Sequence, residues 1–334
     1  MSQQATTQPR PARASFFSGS RFERWAPALL LAVAVIIYVV ACLATGQTQY
    51  LNWANLLAVV GRSIALGITA IGQTFVILVA SIDLSVASLI SATAVLASVI
   101  MNGAPSMIVP AIAAALLLGA IVGLINGLVV TRLEVNPLIA TLGMSLVIQG
   151  CLSAFVSNFA GAVPAEFQFF AYGEWFGVPF AILFFFALAL IAFFILRYTR
   201  FGSNIYAVGG NQDAARFAGI PTNRIIVIAH VICSLCATIA GLYLASRLRS
   251  GAPWIGANGV YDLESIAVVV IGGTILAGGR GGIWGTVAGV MIFSLIDSIF
   301  NVLGVDAFVK QVLRGIIIVA AVAFYAVRSK RLVA

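Results

Sequence analysis

The sequence has few charged residues. Only 8% of its 334 residues are Asp, Glu, Lys or Arg, whereas 62% are hydrophobic. An ordinary soluble domain has roughly a quarter charged residues, because a globule of this size needs a polar surface. Between Arg62 and Arg132 the only charged side chain is that of Asp83, and such a run suits lipid or packing between membrane spans. The composition therefore excludes a soluble protein and predicts an integral membrane protein.

Residues for catalysis, metal binding and nucleotide binding are also scarce. His230 is the only histidine, and neither of the two lysines, Lys310 and Lys330, follows a glycine in a Gly-Lys-Ser/Thr phosphate loop. Cys233 and Cys236 have metal-ligand spacing, but they lie in an apolar stretch without a second pair, so we interpret them as packing residues. We expect no catalytic residue, no metal site and no cofactor bound by this chain. Any ATP used in transport must then be bound by another chain.

The apolar stretches predict an all-α membrane protein, a polytopic bundle of about ten transmembrane helices with one or more broken or re-entrant helices. Residues 1–24 are polar and are predicted to form a disordered cytoplasmic tail. Residues 25–328 form a single transmembrane domain, and residues 329–334 form a second cytoplasmic tail. The spans are predicted near residues 26–44, 55–78, 85–101, 107–131, 138–157, 179–197, 225–246, 263–277, 283–303 and 310–327.

The basic residues are distributed unevenly between the two sides of the predicted membrane. With a cytoplasmic N-terminus, thirteen of the 18 fall on the inner side: Arg10, Arg13, Arg21, Arg24, Arg132, Arg197, Arg200, Arg216, Arg224, Arg280, Arg328, Lys330 and Arg331. This asymmetry predicts an even number of spans with both termini in the cytoplasm. It also accounts for the net charge of +8 without a nucleic-acid partner.

Asp83 stands between two predicted spans. A carboxylate deep in hydrocarbon is costly unless it is paired or faces water, so Asp83 is a candidate for the translocation path. Alternatively, Asp83 or Ser81 caps the helix that follows. The spacing of residues leaves both interpretations open.

The inner loop, residues 198–224, carries the pattern of a short helix. Asn211 can cap its start, Asp213 suits its first turn, and Gly219 and Pro221 can end it. A helix of two turns is unstable in water by itself, so we expect it to be held against another surface, through Ala214, Ala215 and Phe217. The alternative is an ordinary surface loop.

The third feature begins at Asp262 and Glu264. The uncharged run that follows, residues 265–279, is short for a full span and is rich in glycine towards its end. Glycines permit a broken or re-entrant helix, which is tolerated where it lines a cavity or is buried in protein. The alternative is a glycine-rich seam between packed helices.

Five motifs occur in a fixed order along the chain. They are Gly72-Gln73-Thr74-Phe75-Val76-Ile77-Leu78 with Ile82-Asp83-Leu84-Ser85-Val86, Gly123-Leu124-Ile125-Asn126-Gly127, Pro137-Leu138-Ile139-Ala140-Thr141-Leu142, Thr199-Arg200-Phe201-Gly202 with Ala207-Val208-Gly209-Gly210-Asn211, and Ile271-Gly272-Gly273-Thr274 with Leu276-Ala277-Gly278-Gly279-Arg280-Gly281. In this order and spacing the chain resembles the permease subunits of bacterial carbohydrate ABC importers, the ribose, xylose, arabinose and galactose group. The resemblance covers about residues 50–325.

The resemblance implies a permease in the bacterial inner (plasma) membrane that imports a monosaccharide or a related polar solute. It implies a homodimer in the lipid bilayer, ATP-binding subunits that hold ATP and Mg on the cytoplasmic face, and a periplasmic solute-binding protein. The chain itself would be no enzyme. An ion-coupled secondary transporter that uses Asp83 is the alternative, and a channel or membrane scaffold is a third. The inner loop distinguishes them, because a self-sufficient carrier needs no docking helix.

The matching motifs also imply roles for single residues. The ATPase-coupling residues are Gly209, Gly210, Asn211, Asp213, Ala214, Ala215, Arg216, Gly219 and Ile220. The candidates for the translocation path are Asp83, Ser85, Asn126, Thr141, Asp262, Glu264 and Thr274. The chain departs from the family at Ala80, Ser81 and Ala87, where the family has glycines, and Asp262-Leu263-Glu264 reverses its usual order. These departures bear on the solute more than on the fold.

Overall fold

The computed structural model describes residues 21–333, with the side chains of residues 25–320. Within residues 21–333 the chain folds into helices and one short hairpin. The helices are α1 (Arg21–Ala44), α2 (Trp53–Arg62), α3 (Ile64–Leu78), α4 (Val86–Met101), α5 (Ile108–Arg132), α6 (Pro137–Phe155), α7 (Ala165–Tyr172), α8 (Phe180–Tyr198), α9 (Arg200–Gly210), α10 (Gln212–Phe217), α11 (Thr222–Leu248), α12 (Ile255–Asn258), α13 (Tyr261–Ile271), α14 (Ile283–Val302) and α15 (Ala307–Val333). Strands β1 (Glu174–Trp175) and β2 (Val178–Pro179) pair antiparallel, with Trp175 opposite Val178.

Within residues 21–333, six helices are long and apolar enough to cross a membrane: Trp25–Ala44, Pro105–Arg132, Pro137–Phe155, Phe180–Tyr198, Thr222–Leu248 and Ile283–Val302. Helices α2 and α3 would add a seventh span, although they meet at an angle of 48°. The chain is therefore an all-α membrane protein with several spans. The predicted spans 85–101 and 263–277 fall on α4 and α13, which have only 16 and 11 residues.

Helix α11 forms the centre of the bundle. Two thirds of its most apolar window is buried, against 11% for α6, and it packs against α3, α4 and α5. Small residues allow the close approach of α5: the missing Cβ of Gly123 would lie 2.6 Å from the Cα of Val231, and that of Gly127 2.7 Å from the Cα of Val227. The small-residue spacing on α5 therefore marks a helix-packing face.

The predicted outer connections meet at one end of the bundle. The backbone nitrogen of Gly103 donates to Ala162, Ala160 and Gly251 form a bridge, and Val163 donates to Arg249. At the other end, the amide of Asn223 reaches the carbonyl of Thr131 at 3.5 Å. The loops alternate between two ends, as consecutive spans require.

The inner loop contains two helices, α9 and α10, where one was predicted. Thr199 caps α9 by accepting from the backbone nitrogen of Gly202 at 3.1 Å, and Ile205 and Val208 are buried. The repeat of apolar residues in 200–208 is the signal that was missed. The predicted end of α10 is confirmed, because Gly219 has φ +80°.

The predicted tails are described only in part. Of the tail predicted for residues 1–24, the stretch before Arg21 lies outside the described residues, and α1 already begins at Arg21. At the other end, α15 continues to Val333 through the segment predicted as a tail.

Candidate functional site

The first break, residues 79–85, separates α3 from α4 and carries Asp83 into the interior. Helix α3 ends at Leu78, and Ala80 takes a left-handed conformation with φ +60°. Although the segment has no regular secondary structure, Ser81, Asp83 and Ser85 are all buried. Irregular backbone at this depth needs partners from the surrounding helices.

Asp83 is completely buried, and its carboxylate has several hydrogen-bond partners within the protein. Its carboxylate accepts from the backbone nitrogen of Ser85 at 2.9 Å and from the hydroxyl of Ser85 at 2.6 Å. His230 Nδ1 lies 3.4 Å from its other oxygen. The amide of Asn126 lies 3.4 Å from the carboxylate and donates to the Ser85 hydroxyl at 2.9 Å. Asp83 thus joins α4, α5 and α11.

His230 was not predicted as a site residue. Its Nε2 lies 2.9 Å from the hydroxyl of Ser81, so the ring bridges Ser81 and Asp83. The order Ser–His–Asp resembles a hydrolytic triad, but Ser81 is 3% exposed and His230 and Asp83 are 0% exposed, so no substrate reaches the hydroxyl in this conformation. The signal for His230 was its position: a lone ionisable side chain inside a predicted span. We call Ser81, Asp83, Ser85, Asn126 and His230 the Asp83 cluster.

Two further side chains hold the backbone of the first break. The hydroxyl of Thr141, on α6, accepts from the backbone nitrogen of Leu84 at 3.0 Å and donates to the carbonyl of Pro137 at 2.9 Å. In its hydrogen-bonding orientation, the amide of Gln73 donates to the carbonyl of Asp83 at 3.3 Å and accepts from its nitrogen at 3.2 Å. The structure therefore brings together four path candidates: Asp83, Ser85, Asn126 and Thr141.

The second break, residues 272–282, separates α13 from α14. Gly273, Gly278, Gly279 and Gly281 have positive φ angles, which only glycine adopts without strain. The turn closes through a bond from the nitrogen of Ile275 to the carbonyl of Arg280 at 3.0 Å. A broken helix was one of the two interpretations left open, and α13 does end at Ile271.

The packing seam, which was the other interpretation, is present as well. The missing Cβ of Gly272 would meet the carbonyl of Gly285, and that of Gly289 would lie 3.0 Å from the nitrogen of Gly272. Thr274 is buried in the second break, and its hydroxyl has no hydrogen-bond partner among the described residues. No hydrogen bond of the described residues joins Thr274 to the Asp83 cluster, to Asp262 or to Glu264.

Asp262 and Glu264 lie in the first turn of α13. Glu264 is 6% exposed and accepts from Arg314 at 3.4 Å, while Arg314 also donates to Asp297. Asp262 is half-buried and accepts from the backbone nitrogen of Leu263 at 2.9 Å. Asp297 and Arg314 were not predicted, because the sequence does not show which faces of α14 and α15 turn towards Glu264. The three residues Glu264, Asp297 and Arg314 form an ion cluster.

Helix α10 lies at the end of the bundle that was predicted to be cytoplasmic, and most of its predicted coupling residues are exposed. Its cap forms as predicted, since the side chain of Asn211 accepts from the nitrogen of Ala214 at 2.9 Å. Ala215 is buried against the bundle, whereas Phe217 is 91% exposed. The exposed coupling residues are Gly210, Asn211, Asp213, Ala214, Arg216 and Gly219, and Ile220 is half-buried. Gly209 is buried.

Tyr206 ties α9 to the second break. Its hydroxyl donates to the carbonyl of Gly281 at 3.0 Å. Burial raises the pKa of Tyr206 above its ordinary value of 10.0, against a smaller opposite effect of Arg197. The hydroxyl therefore keeps its proton at neutral pH and remains a donor.

Metal-ligand residues are not grouped in the described part of the chain: no cluster of three or more His, Cys, Asp or Glu side chains occurs among those residues. Cys233 and Cys236 are both free and buried. Burial of this kind is typical of cysteines that serve as packing residues.

Comparison with known proteins places this arrangement in a family. Residues 55–322 match the family described as "Branched-chain amino acid transport system / permease component". The chain is 36% identical to the ribose import permease protein RbsC of Escherichia coli strain K12, over 88% of this chain and 91% of that protein. It is 36% identical to RbsC of Bacillus subtilis strain 168, over 87% and 90%.

A further relative is similar from end to end. The L-arabinose transport system permease protein AraH of Escherichia coli strain K12 is 36% identical over 100% of both chains. No solved structure matches the chain. The family profile covers most of the sequence, including both breaks and the inner helices. The chain therefore belongs to the family of transport permease components that this description covers, and the resemblance to the permease subunits of carbohydrate ABC importers is confirmed.

Proposed function

We propose that this chain is the membrane-spanning permease subunit of an ABC importer, which translocates a monosaccharide or a related small polar solute inward. ATP is hydrolysed on a separate subunit. The observation that carries the proposal is the end-to-end similarity to AraH, whose name specifies L-arabinose, together with that to RbsC, whose name specifies ribose. The family description names branched-chain amino acids, so the class of solute is the first point to test.

The test is uptake into proteoliposomes that hold the chain with the ATPase and the solute-binding protein encoded beside its gene. We expect ATP-dependent accumulation of one or more of ribose, L-arabinose, xylose and galactose, and none of leucine. Uptake of leucine alone would assign the chain to amino-acid transport. Sugar uptake by the chain alone, driven by a proton or sodium gradient, would favour the ion-coupled alternative.

The environment of Asp83 supports the ABC importer over the ion-coupled carrier. Asp83 is sealed from solvent and is already bonded by Ser85, Asn126 and His230. An ion carrier needs a carboxylate that water can reach in at least one state. We therefore infer that Asp83, Ser85, Asn126 and Thr141 act by shaping the first break beside the solute path. Thr274, Asp262 and Glu264 remain candidates for the same path.

The inner helices are proposed to receive the ATPase. Phe217 projects into solvent at the inner end, next to exposed Ala214 and Arg216. An exposed aromatic side chain on a small-residue helix suits insertion into a groove on a partner. ATP and Mg would be bound by that partner, and this chain would be no enzyme and bind no cofactor.

The membrane arrangement is proposed to have about ten spans in the bacterial inner (plasma) membrane, with both termini cytoplasmic. Support comes from the thirteen basic residues on one side and from the grouping of alternate loops at opposite ends of the bundle. The exterior of α6 is apolar, with Ile139 and Leu146 65% and 68% exposed. Lipid and a second copy of the chain are the proposed neighbours, with a periplasmic solute-binding protein at the outer end and no nucleic acid.

A further inference from the structure

Three backbones meet where the inner helices touch the bundle. The carbonyl of Leu78, the last residue of α3, accepts from the nitrogen of Gly279 in the second break at 3.0 Å. Gly209, near the end of α9, lies against both. Its missing Cβ would be 2.9 Å from the carbonyl carbon of Leu78 and 2.6 Å from the nitrogen of Gly279. We call Leu78, Gly209 and Gly279 the glycine junction.

Gly278 and Gly279 of the second break are packed equally closely against the first break and the end of α9. A Cβ on Gly278 would lie 2.8 Å from both the nitrogen of Ala80 and the carbonyl oxygen of Gly209, and one on Gly279 would lie 2.8 Å from the Cα of Gly210. Backbone therefore touches backbone between the segments, and the only side-chain atom among these contacts is the methyl carbon of Ala80, 2.9 Å from a Cβ on Gly278. Such a contact has no flexible side chain to absorb a small displacement, because packed interiors transmit strain.

Each of the three segments, α9, the first break and the second break, is also held by contacts outside the junction. Helix α9 buries Ile205 and Val208, and Tyr206 is bonded to Gly281. The first break runs from Leu78 directly to Ser81 and Asp83, which are bonded to His230 on α11. A shift of α9 therefore bears on both breaks, and through the first break on the Asp83 cluster.

We propose that the glycine junction transmits displacement of α9 and α10 to both breaks, and that Gly209 is a positioning residue for transport that is separate from the surface that receives the ATPase. The proposal rests on the proposed function in one respect, namely that a partner ATPase acts on the inner helices. It does not depend on which solute is carried.

The test places a cysteine reporter in the first break. Ala80 is exposed and adjoins the junction, so Ala80→Cys reports the accessibility of that segment. Cys151, the exposed native cysteine, is replaced by serine, since Cys42, Cys233 and Cys236 are buried. The rate of maleimide labelling is measured with and without ATP in the assembled complex with the ATPase.

Gly209→Ala is compared with Gly150→Ala in this background. Both glycines lie in helices, and a Cβ on Gly150 meets no atom within 4 Å, so Gly150→Ala controls for the substitution itself. We expect ATP to change the labelling rate by about threefold or more in the Gly150→Ala complex, and to leave it unchanged in the Gly209→Ala complex. Copurification of the ATPase is expected to be equal in the two.

Three results would overturn the proposal: an equal response to ATP in both variants, no response in the Gly150→Ala complex, or loss of the ATPase from the Gly209→Ala complex alone. If Gly209→Ala does not give a monodisperse protein, Tyr206→Phe takes its place, because it removes the bond to Gly281 without adding volume. Its response to ATP should then fall by about half or more, and a full response would contradict the junction. Sugar uptake is measured separately, so its absence would count against the proposed function and not against the junction.

Discussion

At the residue scale, the pairing of Asp83 with His230 determines how the first break is held. Both side chains are fully buried, and each has another partner, Ser85 for Asp83 and Ser81 for His230. Removal of one partner of a buried carboxylate leaves that carboxylate without compensation and is far more costly than replacement of both partners.

We therefore predict a strong coupling between Asp83 and His230. His230→Ala should lower the free energy of unfolding by about 3 kcal/mol, and Asp83→Asn by about 1–2 kcal/mol because charge-assisted hydrogen bonds are lost. The double variant should cost less than the sum. Denaturant unfolding in detergent measures the cycle, with the exposed Ser153→Ala on α6 as control; additive costs would contradict the pairing.

The Asp83→Asn substitution also has a functional consequence. Asp83→Asn should insert normally into the membrane and reduce uptake, because the first break would no longer be held in one conformation. Uptake is compared with wild type at matched membrane levels of the protein. Full transport by Asp83→Asn would leave the carboxylate with a capping role only.

A third prediction at this scale concerns Ala80, which stands where the family that the chain resembles has glycine. Its φ of +60° is unfavourable for a residue with a Cβ. Ala80→Gly should therefore raise the free energy of unfolding by about 0.5–1 kcal/mol, the relief of strain less the entropy of glycine. Ala154→Gly, on exposed α6, should instead lower it by about 1 kcal/mol. Equal signs for the two variants would contradict the left-handed conformation.

At the element scale, α10 presents one face to the bundle and another to solvent. Ala215 is buried, whereas Ala214 and Phe217 are exposed. Substitution of Ala215 by Glu would place a charge inside the permease and test its folding rather than its docking. The residues for a docking test are therefore Ala214 and Phe217.

We predict that Ala214→Glu and Phe217→Ala weaken copurification with the ATPase and reduce uptake, while the thermal stability of the permease stays unchanged. Loss of an exposed aromatic anchor costs about 2 kcal/mol or more in binding, a weakening of roughly 30-fold. Phe155→Ala is the matched control, because Phe155 is 88% exposed at the outer end of α6. Equal retention of the ATPase by all three variants would make α10 an ordinary connection.

At the scale of the whole molecule, nearly all the described chain belongs to the helical bundle or to short connections. The sequence has no phosphate loop. We predict that the purified chain hydrolyses no ATP in detergent or in liposomes, as measured by phosphate release. Hydrolysis that persists in protein free of contaminating ATPases would contradict the assignment of the nucleotide to a partner.

Much of the fold could be predicted because its causes are local. The lack of charge, the apolar runs and the glycine and proline punctuation placed a helix at each predicted span, and Asn211 and Gly219 set the ends of α10. The outer end of α13 was near its predicted position, but its inner end was not. The bonds that end α13 are local, such as that from the nitrogen of Gly273 to the carbonyl of Val270 at 2.8 Å, but the close packing of Gly272 against Gly285 of α14 is a tertiary contact.

The sequence predicted individual residues of the candidate site but not which of them are in contact. A chain with 62% hydrophobic and 8% charged residues cannot hide its apolar surface outside a membrane, so the sequence by itself determined a polytopic helical membrane protein and its ordered motifs. The tertiary structure alone decided that His230 meets Asp83, that Arg314 meets Glu264, and that Gly209 meets Leu78 and Gly279. The physical reason is that hydrogen bonds, ion pairs and close backbone contacts between helices depend on how the helices pack, whereas the length and polarity of each helix do not.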